Sequence, residues 1–167
     1  QLYENNGVVK RSSVENIVKL IPKEERRKMW GMGIKIGRYH IYLPKMLKPK
    51  AVNFRIALWK MFHNLAGENT IPKSGLNFLS NVNFKRDFLL LCGFEKFNEF
   101  FVRIDILEKL FIKIIENTKD KKFTVNADMM NLLGCSKENF YKLMTYMNYK
   151  KDKSLDTYVF KGLRKKK

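Results

Sequence analysis

Lys35, Arg38, Lys45, Lys48 and Lys50 crowd into the stretch Gly33–Lys50, GIKIGRYHIYLPKMLKPK, where no acidic residue offsets them. Cations at this density suit contact with phosphate, and they act through charge rather than through bond making. Arg55 adds a sixth, one helical turn from Trp59. The Trp59 ring has two uses, rim of the core or platform for a base, and packing is the better expectation because aromatic residues at helical spacing usually pack. A second group follows later. Lys137, Tyr141, Lys142 and Thr145 share the polar side of an apolar-periodic run, and Lys150, Lys151, Lys153 and Lys161 come after it.

The residue patterns that make or break bonds are missing. No G-x-x-x-x-G-K-[ST] string is present, and the Gly31, Gly33, Gly37 run leads into β-like residues rather than a helix N-terminus. Cys92 and Cys135 are far apart, and His40 and His63 lack ligand spacing, so neither a metal nor a cofactor is expected. Asp105 and Asp128 are explained as helix starts, where an acid meets free N–H groups, and no nucleophile has a recognisable base. No catalytic residue is therefore nominated. An enzyme site assembled from distant residues stays as a third alternative, which a buried pocket of convergent polar groups would revive.

The elements that must position these cations follow from punctuation and period. Residues 1–12 carry no periodicity and read as a linker or arm; the Gln1 start, without Met, suggests a fragment or processed chain. Residues 13–66 read as helices with a hairpin–helix element. Ser13 is the expected cap of a short helix with Val14, Ile17, Val18 and Ile21 on one face, and Pro22 opens a second that stops at Gly31 or Gly33. Ile34–Ile36 and Tyr39–Leu43 flank Gly37-Arg38 as a hairpin, with Gly37 supplying positive φ. Pro49 begins a helix in which Ala51, Phe54, Leu58, Met61 and Leu65 should face the core.

Residues 67–83 read as a loop, and 84–161 as a winged-helix-like domain. There Phe84–Cys92 is a helix stopped by Gly93, Glu95–Arg103 a hairpin about Asn98, and Asp105-x-x-Glu108 a capping box opening a helix. Lys122–Val125 is a strand. Helices Ala127–Leu133, capped by Asn126, and Lys137–Met147, capped by Ser136, precede a hairpin at Asn148–Lys151 and Thr157–Lys161. Helix, strand, helix, turn, helix, hairpin is the winged-helix order, with Phe140, Leu143, Met144 and Met147 buried and the Lys137–Thr145 face outward. A basic tail occupies 162–167. The fold class is mainly α with small β-hairpins, α+β, a helical N-terminal part joined to the winged-helix-like part.

Composition agrees with a binding role. The 167 residues carry 34 basic and 16 acidic side chains, a net charge of +18, and are 45% hydrophobic, enough for a core. No apolar run reaches membrane-spanning length, and the N-terminus lacks a signal-peptide pattern, so a cytosol-like compartment is expected. The two cysteines sit beside glycine in apolar surroundings and read as free core thiols.

The strings GIKIGRYHIYLPKMLKPKAVNFRIALWK, VRIDILEKL and FTVNADMMNLLGCSKENFYKLM, in this order, resemble the C-terminal region of alphaproteobacterial superfamily-two helicases related to the mitochondrial RNA-degradosome helicase. The resemblance covers about Lys23 to Lys151. It implies an accessory region beyond two ATPase lobes that helps grip RNA or DNA, in a bacterial cytoplasm or mitochondrial matrix, with docking on the lobes as a further role. The helicase motifs themselves are absent, and no catalytic residue carries over. The alternative is a protein-interaction module with Trp30, Trp59 and Phe100 as anchors.

Overall fold

The computed structural model describes residues 1–64, 72–73, 75–80, 86–152 and 157–160. They combine helices with three small antiparallel sheets in two compact units, residues 1–75 with 84–94 and residues 76–83 with 95–167.

The first unit opens with β1 (Val8–Lys10), which pairs with β3 (His40–Tyr42) so that Val8 lies opposite Tyr42 and Lys10 opposite His40. Three residues are too few to display alternation, which is why this strand reads as linker in the sequence. A 3-10 turn, Arg11–Ser13, leads to α1 (Glu15–Leu20) and α2 (Lys23–Gly31). Ser13 does not cap α1; its hydroxyl donates to the Lys10 carbonyl inside that turn, and Val14 holds the cap position without a side-chain bond. Val14 and Val18, one turn apart, pack with Val9 and Ile41. Ile17 lies about 100° round the helix from Val18 and is 56% exposed, against expectation. Arg26 reaches back from α2, donating from Nε to the Ile21 carbonyl and from Nη2 to that of Val18, and so satisfies the end of α1.

α2 stops at Gly33 (φ 86°), whose N–H meets the Trp30 carbonyl while the Ile34 N–H meets that of Met29, a Schellman closure. β2 (Lys35–Ile36) then pairs with β3 to complete the order β1-β3-β2. The left-handed residue of this region is thus Gly33, ahead of the hairpin. The turn itself is closed by the Gly37 N–H on the His40 carbonyl, with Arg11 Nη1 donating to the Gly37 carbonyl. Being central, β3 has His40, Ile41 and Tyr42 all buried.

A 3-10 turn, Pro44–Leu47, delivers the chain to α3 (Pro49–Phe62), with Pro49 at its first position. The buried side of α3 is Val52, Arg55 and Ile56. Phe54, Leu58 and Met61, expected there, are exposed, and Leu65 lies outside the described residues. Apolar residues occupy both sides of this helix, so period alone could not say which side would be covered. α4 (Arg86–Leu91) adds Phe88, Leu89 and Leu91 to the buried set.

The second unit begins with β4 (Phe78–Ser80), a strand inside the stretch read as loop; it pairs with β6 (Phe100–Arg103), whose other neighbour is β5 (Phe94–Phe97). The β5–β6 turn contains Asn98 at φ 54°. In α5 (Ile104–Glu116) the cap position belongs to Arg103, and no capping box forms. Asp105 instead accepts two bonds from Arg103, 2.7 Å from Nε and 3.0 Å from Nη2, a bidentate pair that outcompetes the backbone N–H groups. β7 (Thr118–Lys119) and β8 (Lys122–Thr124) form a two-residue hairpin with both Asp120 and Lys121 at positive φ.

α6 (Ala127–Leu133) is capped by the Asn126 side chain on the Met129 N–H and closed by Gly134 at φ 67°. α7 (Lys137–Tyr146) is capped by Ser136 Oγ on the Asn139 N–H, and Phe140, Leu143, Met144 and Met147 are buried as expected. β9 (Tyr149–Lys151) and β10 (Thr157–Phe160) finish a sheet of order β7-β8-β10-β9.

Candidate nucleic-acid interface

Lys35, Arg38, Lys45, Lys48 and Lys50 are all exposed, spread from β2 across the hairpin turn and the Pro44–Leu47 turn to the first residues of α3. After Glu25 no acidic residue occurs up to Asn64. Among the described residues, Lys35, Lys45, Lys48 and Lys50 have no ion-pair partner. The register adds a cation that the sequence did not nominate. Lys10 pairs with His40 and Lys35 with Tyr42, two positions apart on β3, so both lysines stand on one face of the sheet. Lys10 became legible only once Val8-Val9 was seen as a strand.

Arg55 leaves this set. It is 5% exposed, with Nη1 donating to the Asn6 carbonyl at 2.6 Å, while Nε and Nη2 are enclosed without a partner among the described residues. Burial lowers its pKa, only partly opposed by the nearby Cys92. Trp59 is half-buried, its ring 5.7 Å from Phe88 and 4.7 Å from His63, a rim position rather than an open platform.

In the second unit the nominated residues separate. Lys137 Nζ lies 5.5 Å and Lys151 Nζ 4.9 Å from the Tyr141 ring centre, so α7 and β9 bring two cations to one aromatic ring. Tyr141 is only half-exposed. Its ring lies 6.0 Å from that of Tyr158, and its hydroxyl is enclosed with no hydrogen-bond partner among the described residues. Lys142 is paired with Glu138 at 2.8 Å; the bond raises the lysine pKa and lowers that of the carboxyl. Lys150 opposes Val159, whereas Lys151 opposes Tyr158, so the two lysines lie on opposite faces of the sheet. Lys122 shares the Lys150 face and is bonded to Asp152 at 2.7 Å. Lys153, Lys161 and the 162–167 tail lie outside the described residues.

Chemistry beyond charge is sparse. Among the described residues no group of three His, Cys, Asp or Glu could hold a metal ion, and no helix is long and apolar enough to cross a membrane. Cys92 and Cys135 are both free thiols, pushed by burial up to about 12 and about 11 respectively. His40 is buried and His63 exposed. No family model, curated protein or solved structure matches the chain.

Proposed function

We propose that this chain is a non-catalytic, nucleic-acid-binding accessory region of an ATP-dependent helicase-like protein, working in a bacterial cytoplasm or mitochondrial matrix. The observation that carries the proposal is the cluster of exposed cations at the hairpin–α3 junction, in a stretch from Arg26 to Asn64 that contains no acidic residue. A winged-helix reading of the second unit lends support: α5, β8, α6, α7, β9 and β10 follow in that order, with β10 between β8 and β9. On this reading α7 is the recognition helix, and Lys137, Tyr141 and Lys151 form its contact point. The Lys142–Glu138 pair reduces what the rest of that helix can offer a phosphate.

Binding is tested by titrating salt against fluorescently labelled RNA, single-stranded DNA and duplex DNA. Each phosphate contact contributes a log–log slope of about −0.7 on single strands. Changing Lys35, Arg38, Lys45 and Lys48 together to Ala should weaken binding and flatten that slope. Absence of binding at low salt, or a salt-independent affinity, overturns the proposal. The second reading, a protein-interaction module docking on helicase lobes or another partner, is favoured by Trp30, which is 70% exposed; Phe100, at 2%, belongs to the core and is withdrawn as an anchor.

A further inference from the structure

α3 has two apolar sides, and the folded unit covers one of them. On the other, Phe54 is 64% exposed, Leu58 49%, Met61 74% and Phe62 83%. Positions 54, 58 and 61 are spaced by four and three residues, so they form a stripe along two turns, with Phe62 at its edge. Ala57, also exposed, lies at the other edge of the stripe, opposite Phe62. Together these residues expose roughly 500 Å² of apolar surface, at the upper end for the largest patch of a monomer.

Charge narrows what can lie there. Lys50 continues the stripe at its N-terminal end, Lys45 and Lys48 precede it, and no carboxylate occurs from Arg26 to Asn64. A second copy would bring a net charge of +18 against an equal one, and a stable interface buries about 800 Å² on each partner, more than this stripe supplies. A helix fits a stripe of this width, because its ridge of side chains inserts between those of the facing helix.

The geometry points to α3 as the docking face for an acidic amphipathic helix of a partner protein, its apolar ridge on Phe54, Leu58 and Met61 and its carboxylates toward Lys45, Lys48 and Lys50. The inference does not rest on nucleic-acid binding, but the helix and a nucleic acid would compete for Lys45, Lys48 and Lys50. The probe is a synthetic helical peptide with leucine on one face and glutamate on the other, measured against the full chain by fluorescence anisotropy. A scrambled peptide of identical composition is the control.

Micromolar binding that weakens with salt, is absent for the scrambled peptide, and falls at least about tenfold in a Phe54→Ser, Met61→Ser double variant is the expected result. Those side chains are exposed, so the variant should keep the wild-type melting curve, checked by circular dichroism. Equal binding of the two peptides, or an unchanged affinity in the folded double variant, overturns the inference. So does a dimer in sedimentation, or binding to phosphatidylserine vesicles without binding to the peptide, where the double variant abolishes it. Failure with the peptide while RNA or DNA still binds sinks only this inference.

Discussion

Lys121 holds φ 64° and Asp120 φ 49° in the two-residue turn joining β7 to β8, the pairing that a right-twisted hairpin needs. A left-handed lysine costs about 1–2 kcal/mol that glycine does not. Lys121→Gly should therefore raise the stability of the second unit by about 1 kcal/mol, read as a higher urea midpoint; a lower midpoint would mean that the lysine side chain contributes more than the strain costs. The thiols make a separate prediction. With Cys92 raised to about 12 and Cys135 to about 11 by burial, little thiolate exists near neutrality, so iodoacetamide should label neither until the chain unfolds. A folded pKa above the ordinary value of 9.0 means that the native state holds the proton more tightly. The associated stability is complete below that value and is lost as pH rises toward 11 to 12. Urea midpoints should fall above pH 9, and Cys92→Ala should shrink that fall. Arg55 is the opposite case, a charge buried with one carbonyl partner among the described residues. Arg55→Met removes the desolvation penalty and should leave stability unchanged or raise it by about 1 kcal/mol, a result thermal unfolding would register.

Two of the expected helix caps were legible in the sequence, whereas those at Ser13 and Asp105 and the elements defined by what covers them were not. Asn126 and Ser136 cap α6 and α7 as read, since a side-chain oxygen facing free N–H groups is a local interaction that tertiary packing does not alter. Asn126→Ala and Ser136→Ala should each cost about 1 kcal/mol in chemical denaturation. Pro49 and Gly93 likewise mark ends that exist. The failures have separate causes. α3 has apolar residues on two sides, so its orientation depended on α4 and the Pro44–Leu47 turn that pack against it rather than on its own period, and Arg55 moved from the surface to the interior along with it. Asp105 lost its capping role to a neighbour two residues away. β1, β4 and β7 are two or three residues long and have no periodicity to read. For the candidate site, the lysines of the hairpin–α3 junction were legible because charge reaches the surface almost regardless of fold. The splitting of Lys150 from Lys151 was not, because it required the sheet register.

At the scale of the chain, a net charge of +18 acts on stability as well as on binding. Like charges repel within a compact chain, and added salt or a polyanion relieves that repulsion. The thermal midpoint should rise with moderate salt and rise further with a saturating oligonucleotide, following the logarithm of ligand concentration over its dissociation constant. Salt that raises the midpoint while weakening oligonucleotide binding would show the two electrostatic effects acting in opposite directions on one set of lysines.

β3 lies between β2, which joins it through a turn of three residues, and β1, whose Val9 pairs with Ile41 across more than thirty. Closing the longer loop costs more entropy and takes more time, so the two edges of β3 are not assembled together. The β2–β3 hairpin should form as a local event, with β1 joining it later and leaving it first. Pulsed hydrogen exchange during refolding should protect the Gly37 amide, bonded within the hairpin turn, before the Leu43 amide, which is bonded to the Gly7 carbonyl. A ribosome would see the same order, the hairpin emerging after β1 and then recalling it to the sheet.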